Sequence, residues 1–293
     1  MTVDVEDYFQ VSAFEKQISR EKWDQLPPRV EKNTERILEL LGNHGVKATF
    51  FVLGWVAERH PILIRGIAGE GHEVASHGYG HVRATEQQPE QFREDVIRAK
   101  KLLEDIVGEK VIGYRAPSFS IDARNLWVFD VLQDTGYRYS SSIFPIRHDL
   151  YGMPEAPRFA FYPREDGLLE VPLTTLRVGN LNVPCGGGGY FRLFPYGFSR
   201  WALRRVNHRD KQPAVFFFHP WELDPDQPRQ RGVSLKTRFR HYFNLRRMEA
   251  RIVRLLMDFQ WGRIDEVFLE RSAISNELAP RAWSGLSHRF VTL

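Results

Sequence analysis

Short apolar runs alternate with longer amphipathic stretches along this chain, and that rhythm predicts its architecture. Thr2-Val3-Asp4-Val5-Glu6-Asp7-Tyr8-Phe9 opens as an alternating strand and ends in a cluster of three carboxylates. A helix is expected over 33–41, with Asn33 as its N-cap and Gly42 ending it. Residues 46–53 read as a buried strand, 55–69 as a short helix, and 71–75 as a strand running into Ser76-His77-Gly78-Tyr79-Gly80-His81. Phe92, Val96, Leu103 and Ile106 recur near helical period across 89–107. Further strands are expected at 110–115, 137–141, 168–172 and 214–219, with a last one at 263–268 and a helix over 125–136.

Strands alternating with helices predict an α/β fold whose sheet is largely parallel, either open or closed into a barrel. In such folds the functional groups gather at the carboxyl ends of the strands. The acidic cluster, His77, His81, Arg115 and His219 all fall at such ends. One domain over 1–270 with a C-terminal tail at 271–293 is the economical division.

Two segments interrupt the alternation. Within 145–213 lies Cys185-Gly186-Gly187-Gly188-Gly189-Tyr190-Phe191-Arg192. It lacks the G-x-x-x-x-G-K-[ST] of a phosphate loop and opens no convincing helix, so it reads as a flexible loop over the sheet. The other reading is a loop lining a groove with Tyr190 and Phe191. Within 236–261, Leu245, Met248, Ile252, Leu255 and Phe259 form an apolar stripe among many arginines. Such a stripe more often packs on its own domain than rests on an anionic membrane.

At 293 residues, 42% hydrophobic and 27% charged, the chain has the composition of a soluble globular protein. Its net charge of +4 permits an anionic partner without demanding one, and no nucleic-acid recognition module accompanies it. Cys185 is the only cysteine, which excludes an intramolecular disulfide. Met1 runs directly into the first strand with no signal-peptide pattern, and no apolar run reaches transmembrane length. A cytoplasmic protein is expected, with peripheral membrane contact as the alternative that the basic helix leaves open. The sequence carries no signal for oligomeric state.

Two histidines four apart can turn their imidazoles onto one divalent metal ion, but a pair alone is weak among ten histidines. Four ordered motifs make the case specific: the acidic opening at 2–7, the histidine segment at 76–81, Tyr114-Arg115-Ala116-Pro117-Ser118-Phe119, and Phe218-His219-Pro220. Together they resemble the NodB-homology polysaccharide deacetylases, carbohydrate esterase family 4, in the branch associated with exopolysaccharide and exosortase loci. The resemblance covers about residues 1–270 and implies a distorted (β/α) barrel of about seven parallel strands.

It further implies that a divalent metal, zinc first and cobalt or nickel as alternatives, is held by His77 and His81 with a carboxylate from the first motif. Asp4 matches the family's catalytic base, His219 its general acid, and Arg115 the partner that orients Asp4. The Ser118 backbone would face the oxyanion, with Pro117 in the same motif, and Phe119, Tyr190 and Trp221 would meet sugar rings. The substrate implied is an N-acetylated glycan, either a polysaccharide or a lipid-linked intermediate of exopolysaccharide synthesis. Val5 stands where the family's first motif usually carries its metal ligand. Strand alternation favours Glu6, which shares a face with Asp4, whereas Asp7 has the usual chemical identity, so both stay open. Ala116 replaces a common proline, and the usual fourth motif is not recognisable around Ser140-Ser141-Ser142. A catalytically silent glycan- or synthase-binding scaffold and an allantoinase-like C–N hydrolase are the rival readings. His44, His60, His148, His208, His241 and His288 read as ordinary surface or packing histidines.

Overall fold

Strand alternation sorts the core into two layers. β1 (Thr2–Val5) turns Val3 and Val5 outward toward the helices and keeps Thr2 and Asp4 on the opposite face, with all four residues buried. The same split holds in β2 (Thr49–Val52) and β3 (Glu73–Ser76): Phe50, Val52 and Val74 join the outer apolar layer, Phe51 and Ala75 the inner one. Strands buried on both faces suit a parallel sheet covered by helices. The computed structural model describes residues 1–165 and 167–270, and the backbone at 281–282. Most of the expected 271–293 tail, with His288, therefore lies outside the described residues.

α1 (Val30–Asn43) joins β1 to β2, and its cap is not Asn33, which lies inside the helix. Asp7 does that work from a distance, as described below. The expected 55–69 helix is divided into α2 (Gly54–Arg59) and α3 (Pro61–Gly69), because Pro61 opens a new first turn. α4 (Pro89–Val107) leads to β4 (Gly113–Tyr114), and α5 (Trp127–Asp134) to β5 (Tyr139–Ser140). Then come β6 (Phe161–Tyr162), β7 (Leu169–Glu170) and the hairpin β8 (Thr175–Val178) with β9 (Leu181–Pro184). α6 (Gly188–Leu193) and α7 (Tyr196–Arg209) precede β10 (Phe217–Phe218). α8 (Leu235–Tyr242), α9 (Met248–Asp258) and β11 (Arg281–Ala282) complete the described elements.

The sheet runs β10-β1-β2-β3-β4-β5-β7-β6-β11. Its first seven strands are all parallel, and β6 then pairs antiparallel with β7. This mostly parallel sheet curls into a half-barrel. Among the described residues no regular ladder closes the gap between β7 and β10. Single bonds span it instead: Cys185 N–H donates to Thr174 O at 3.4 Å and Phe217 N–H to Gly186 O at 2.8 Å.

That bridging explains the glycine run, and it corrects the expectation of a flexible loop that opens no helix. A side chain at Gly186 would come within 2.3 Å of Val215 O, and one at Gly188 within 2.2 Å of Glu222 Oε1. The backbone is pressed against β10, and α6 starts from it.

Two further expectations resolve here. The stripe on 236–261 packs on its own domain: Leu245, Met248, Ile252 and Leu255 are buried in the outer core layer. The strand expected at 263–268 is a helical turn over Asp265–Glu270. There Ile264 N–H donates to Thr49 Oγ1 and Val267 N–H to Arg263 O, so side-chain and helical bonds satisfy backbone that a strand would have paired laterally.

Candidate active site

The carboxyl ends of β1, β3, β4 and β10 converge on one cleft of about 350 Å³, lined by Asp4, Glu6, His77, His81, Ser118, Phe119, Tyr190 and His219 among others. Asp4 and Glu6 arrive from the end of β1, His77 and His81 from β3, Ser118 and Phe119 from β4, and His219 from β10, as the parallel topology requires.

Asp4 sits on the inner face of β1, where Arg115 Nη1 donates to its Oδ1 at 2.6 Å. Arg115 is fully buried and each of its three guanidinium nitrogens is engaged: Thr2 Oγ1, Ser141 O and Ser141 Oγ also accept from it, each at 2.9 Å. Ser142 Oγ accepts from Ala116 N–H, and Glu170 Oε1 accepts from the N–H groups of Ser142 and Ile143. The serine run that matched no motif is thus the brace under Arg115. Planar fork donors held this way fix one carboxylate oxygen and leave Asp4 Oδ2 facing the cleft.

Glu6, His77 and His81 form the metal-competent cluster found among the described residues, with their ligand atoms within 4.8 Å of one another. His77 Nδ1 donates to Arg115 O at 2.8 Å, which leaves the Nε2 lone pair for the cluster. A positive φ of 54° at His81, after Gly78 at 73°, folds the loop back so that both rings face one point, 5.5 Å apart. Glu6 Oε2 lies 2.8 Å from His81 Nε2, yet it is a buried oxygen with no hydrogen bond of proper geometry. Two imidazoles and a buried carboxylate oxygen without a hydrogen bond suit a divalent cation of borderline softness. Burial, helped by the charge of His81, pushes His77 down to about 4 and keeps it neutral, as a ligand must be. Burial acts to raise Glu6, but the charges of His81 and His219 outweigh it and draw the carboxyl down to about 2.

The fold does not bring Asp7 to this cluster. Its carboxylate accepts from Tyr8 N–H at 2.8 Å, Arg29 N–H at 2.6 Å and Val30 N–H at 2.9 Å. Oδ2 is committed to the start of α1, where a negative charge also complements the helix dipole, and Oδ1 to Tyr8 N–H.

His219 follows β10 and points Nε2 into the cleft, 3.9 Å from Asp4 Oδ2 and 3.5 Å from Glu6 Oε1. Its Nδ1 is held 2.9 Å from Glu222 Oε1, and Glu222 Oε2 in turn accepts from Arg192 Nε at 2.7 Å. Burial alone would lower the imidazole pKa, but Glu6, Glu222 and Asp4 together push it up to about 9. Neither Glu222 nor Arg192 stood out in the sequence. The available signal was a glutamate three residues after His219, the spacing that a single tight turn brings into contact.

The remaining expectations fall out unevenly. Ser118 and Phe119 line the cleft on successive positive φ values of 55° and 51°, and Tyr190 lines the opposite wall. Pro117 is buried behind that turn and is not among the lining residues. Trp221 is not an open platform for a sugar. Its ring is sandwiched between His219 at 5.1 Å and His241 at 4.2 Å, both near parallel, and its Nε1 donates to Glu6 Oε1 at 3.3 Å. It therefore braces His219 and Glu6. His241, expected to be an ordinary packing histidine, packs on Trp221 and also reaches the cleft, as does His148.

Residues 21–140 match the polysaccharide deacetylase family model, and residues 141–269 match a second model, a domain of unknown function (DUF3473). A peptidoglycan-N-acetylglucosamine deacetylase of Bacillus cereus is 32% identical over 105 residues, 36% of this chain and 47% of that protein. A chitooligosaccharide deacetylase of Bradyrhizobium sp. is 31% identical over 99 residues, 34% of this chain and 43% of the relative. The chain spans less than half the length of these curated relatives. A crystal structure from Mycobacterium smegmatis assigned to the polysaccharide deacetylases superposes with TM-score 0.62 at 21% identity, covering 97% of this chain and 92% of that one. The polysaccharide deacetylase match is thus confined to residues 21–140, and the whole-chain likeness to the Mycobacterium smegmatis structure is a likeness of fold. The half-barrel spans both matched ranges: β2 to β5 come from the first, and β7, β10 and His219 from the second.

Proposed function

We propose that this protein removes N-acetyl groups from N-acetylhexosamine units of a polysaccharide or lipid-linked glycan, using a divalent metal ion. The observation that carries the reading is the meeting of three separately braced parts in one cleft: Asp4 on Arg115, His219 on Glu222, and the Glu6–His77–His81 cluster.

Hydrolysis of an acetamide joins water oxygen to the carbonyl carbon, breaks the C–N bond, and yields acetate and an amine. Asp4, with Oδ2 turned to the cleft, takes the water proton. His219 is protonated at neutral pH and gives the Nε2 proton to the departing nitrogen, which is a very poor leaving group without it. Glu222 fixes the ring so that this proton faces the cleft. When bound, the ion supplies Lewis acidity toward the water and the carbonyl. Zinc fits the donor set, and cobalt or nickel fits it as well. The change from the family's usual first motif is accommodated by strand period: Asp4 and Glu6 share the inner face with Val5 between them.

A role in exopolysaccharide synthesis, in the cytoplasm or in peripheral contact with membrane-bound machinery, is the setting we favour. The arginine-rich stretch over α8 and α9 supports it, and no described helix is long and apolar enough to cross a membrane. Mass spectrometry of chitin and peptidoglycan oligomers after incubation with zinc-loaded protein tests the activity. Loss of acetyl groups is expected. Unchanged oligomers of both kinds would favour a glycan-binding scaffold.

A further inference from the structure

Beyond the cleft, aromatic side chains continue in a row along α6 and α7. Tyr190, on the cleft wall, lies 6.3 Å from Phe194 and near parallel to it; Phe194 lies 4.8 Å from Phe198, and Phe198 5.9 Å from Trp201. Burial falls along the row: Tyr190, Phe194 and Phe198 are half-buried, and Trp201 is 50% exposed. Phe198 and Trp201 lie three apart on one face of α7, so the helix itself sets their spacing. The core needs none of these exposed faces, since α7 packs through Ala202, Leu203 and Val206. The faces left exposed contribute nothing to that packing, and a contiguous exposed aromatic row marks a contact surface.

Resting on the deacetylase reading above, we infer that this row is a binding platform for the glycan chain on one side of the unit being deacetylated. Its occupant is an unbranched chain of several N-acetylhexosamine units rather than a single sugar. Aromatic faces accept the flat C–H faces of sugar rings; Phe194 and Phe198 are tilted by 56° and Phe198 and Trp201 by 43°, so the row turns with the helix as it leaves Tyr190 on the cleft wall. Arg205, whose guanidinium lies 5.7 Å from the Trp201 ring centroid, adds hydrogen-bond donors for hydroxyl and acetyl oxygens at the outer end. Asp258, 3.0 Å from Arg200 and 3.7 Å from Arg204, offsets only one of the two positive charges beside the row, so an anionic bilayer is the rival occupant that the experiment must separate from a glycan.

The test compares acetate release from the dimer and the hexamer of N-acetylglucosamine, using metal-loaded wild type, Trp201→Ala and Trp201→Phe. Wild type should prefer the hexamer in kcat/KM. Trp201→Ala should lose that preference by roughly fivefold, the scale of one aromatic contact. It should leave the dimer rate unchanged, and Trp201→Phe should restore most of the loss. An identical length preference in Trp201→Ala would overturn the platform while leaving the deacetylase reading intact. If wild type releases no acetate from either oligomer, that reading fails, and hexamer affinity by calorimetry judges the platform alone. Weaker hexamer binding in Trp201→Ala would sustain it, and equal binding would overturn it. Sedimentation with phosphatidylglycerol vesicles that Trp201→Ala abolishes, with hexamer affinity unchanged, would overturn it in favour of a membrane contact.

Discussion

Glu6 and Asp7 are neighbours of the same charge, and the structure gives them separable tasks that Glu6→Gln and Asp7→Ala should pull apart. Glu6 Oε2 faces His77 and His81 and has no hydrogen bond of its own, so under the proposed function its charge would serve a bound ion. Loss of an outer-sphere partner typically costs 10–100-fold in metal affinity, and removing a direct ligand should cost at least about 100-fold. Because the charges of His81 and His219 favour the ionised form, the same substitution should also cost the metal-free protein some stability, so metal affinity is the readout that separates the two residues. Asp7 should affect stability alone. Three backbone N–H groups at 2.6–2.9 Å depend on it, two of them at the start of α1. A lost cap costs about 1 kcal/mol, and orphaned buried donors bring the total to roughly 3 kcal/mol, with metal affinity unchanged. Competition with a chromogenic chelator reads the first quantity. Urea unfolding of metal-free protein at pH 8 reads the second, since burial pushes Asp7 up to about 6 and it is ionised there. Weak metal binding in Asp7→Ala together with normal binding in Glu6→Gln would refute the assignment.

Two further outcomes follow from buried charges. In the metal-free protein the charges of Glu6, Glu222 and Asp4 raise His219, and in the loaded enzyme Glu222 and Asp4 still do, so kcat/KM should show an alkaline limb set by loss of this proton. Glu222→Gln removes charge but not shape, and should move this alkaline limb down by roughly one unit, or about 1.4 kcal/mol. It should also cost a few kcal/mol in denaturant unfolding, because Arg192 loses its partner; an unmoved limb in folded protein would contradict Glu222's role. At the other end of the barrel, burial and the neighbouring Asp265 raise Glu73 above its ordinary 4.5. A raised carboxyl favours the folded state most below its unfolded value, so this contribution is lost as pH climbs from about 4.5 through the folded pKa. Unfolding of Glu73→Gln should show a flatter pH dependence over that range and higher stability at pH 8.

Period-two strands and parallel topology were legible in the sequence, and so were the residues that strand ends deliver: Asp4, His77, His81 and His219 reach one cleft, with Arg115 buried behind Asp4. What stayed hidden depends on long-range partners. Asp7 looked like a ligand because composition cannot show that residues 29 and 30 would need its oxygens. Trp221 looked like a sugar platform because nothing in Phe218-His219-Pro220-Trp221 shows His241 arriving on its other face. Ser140-Ser141-Ser142 matched no motif, yet it receives Arg115 and rests on Glu170. The glycine run was read as slack. It is instead the place where backbone must lie against β10 and Glu222.

The most direct test of the central claim is acetate release from an N-acetylglucosamine oligomer by chelator-stripped protein, before and after adding one equivalent of zinc. Wild type, His77→Ala and Asp4→Asn are measured side by side. The account predicts activity that zinc restores in wild type, with His77→Ala failing to bind the ion and Asp4→Asn binding it but releasing no acetate. Zinc-independent release, or full activity in Asp4→Asn, would contradict it.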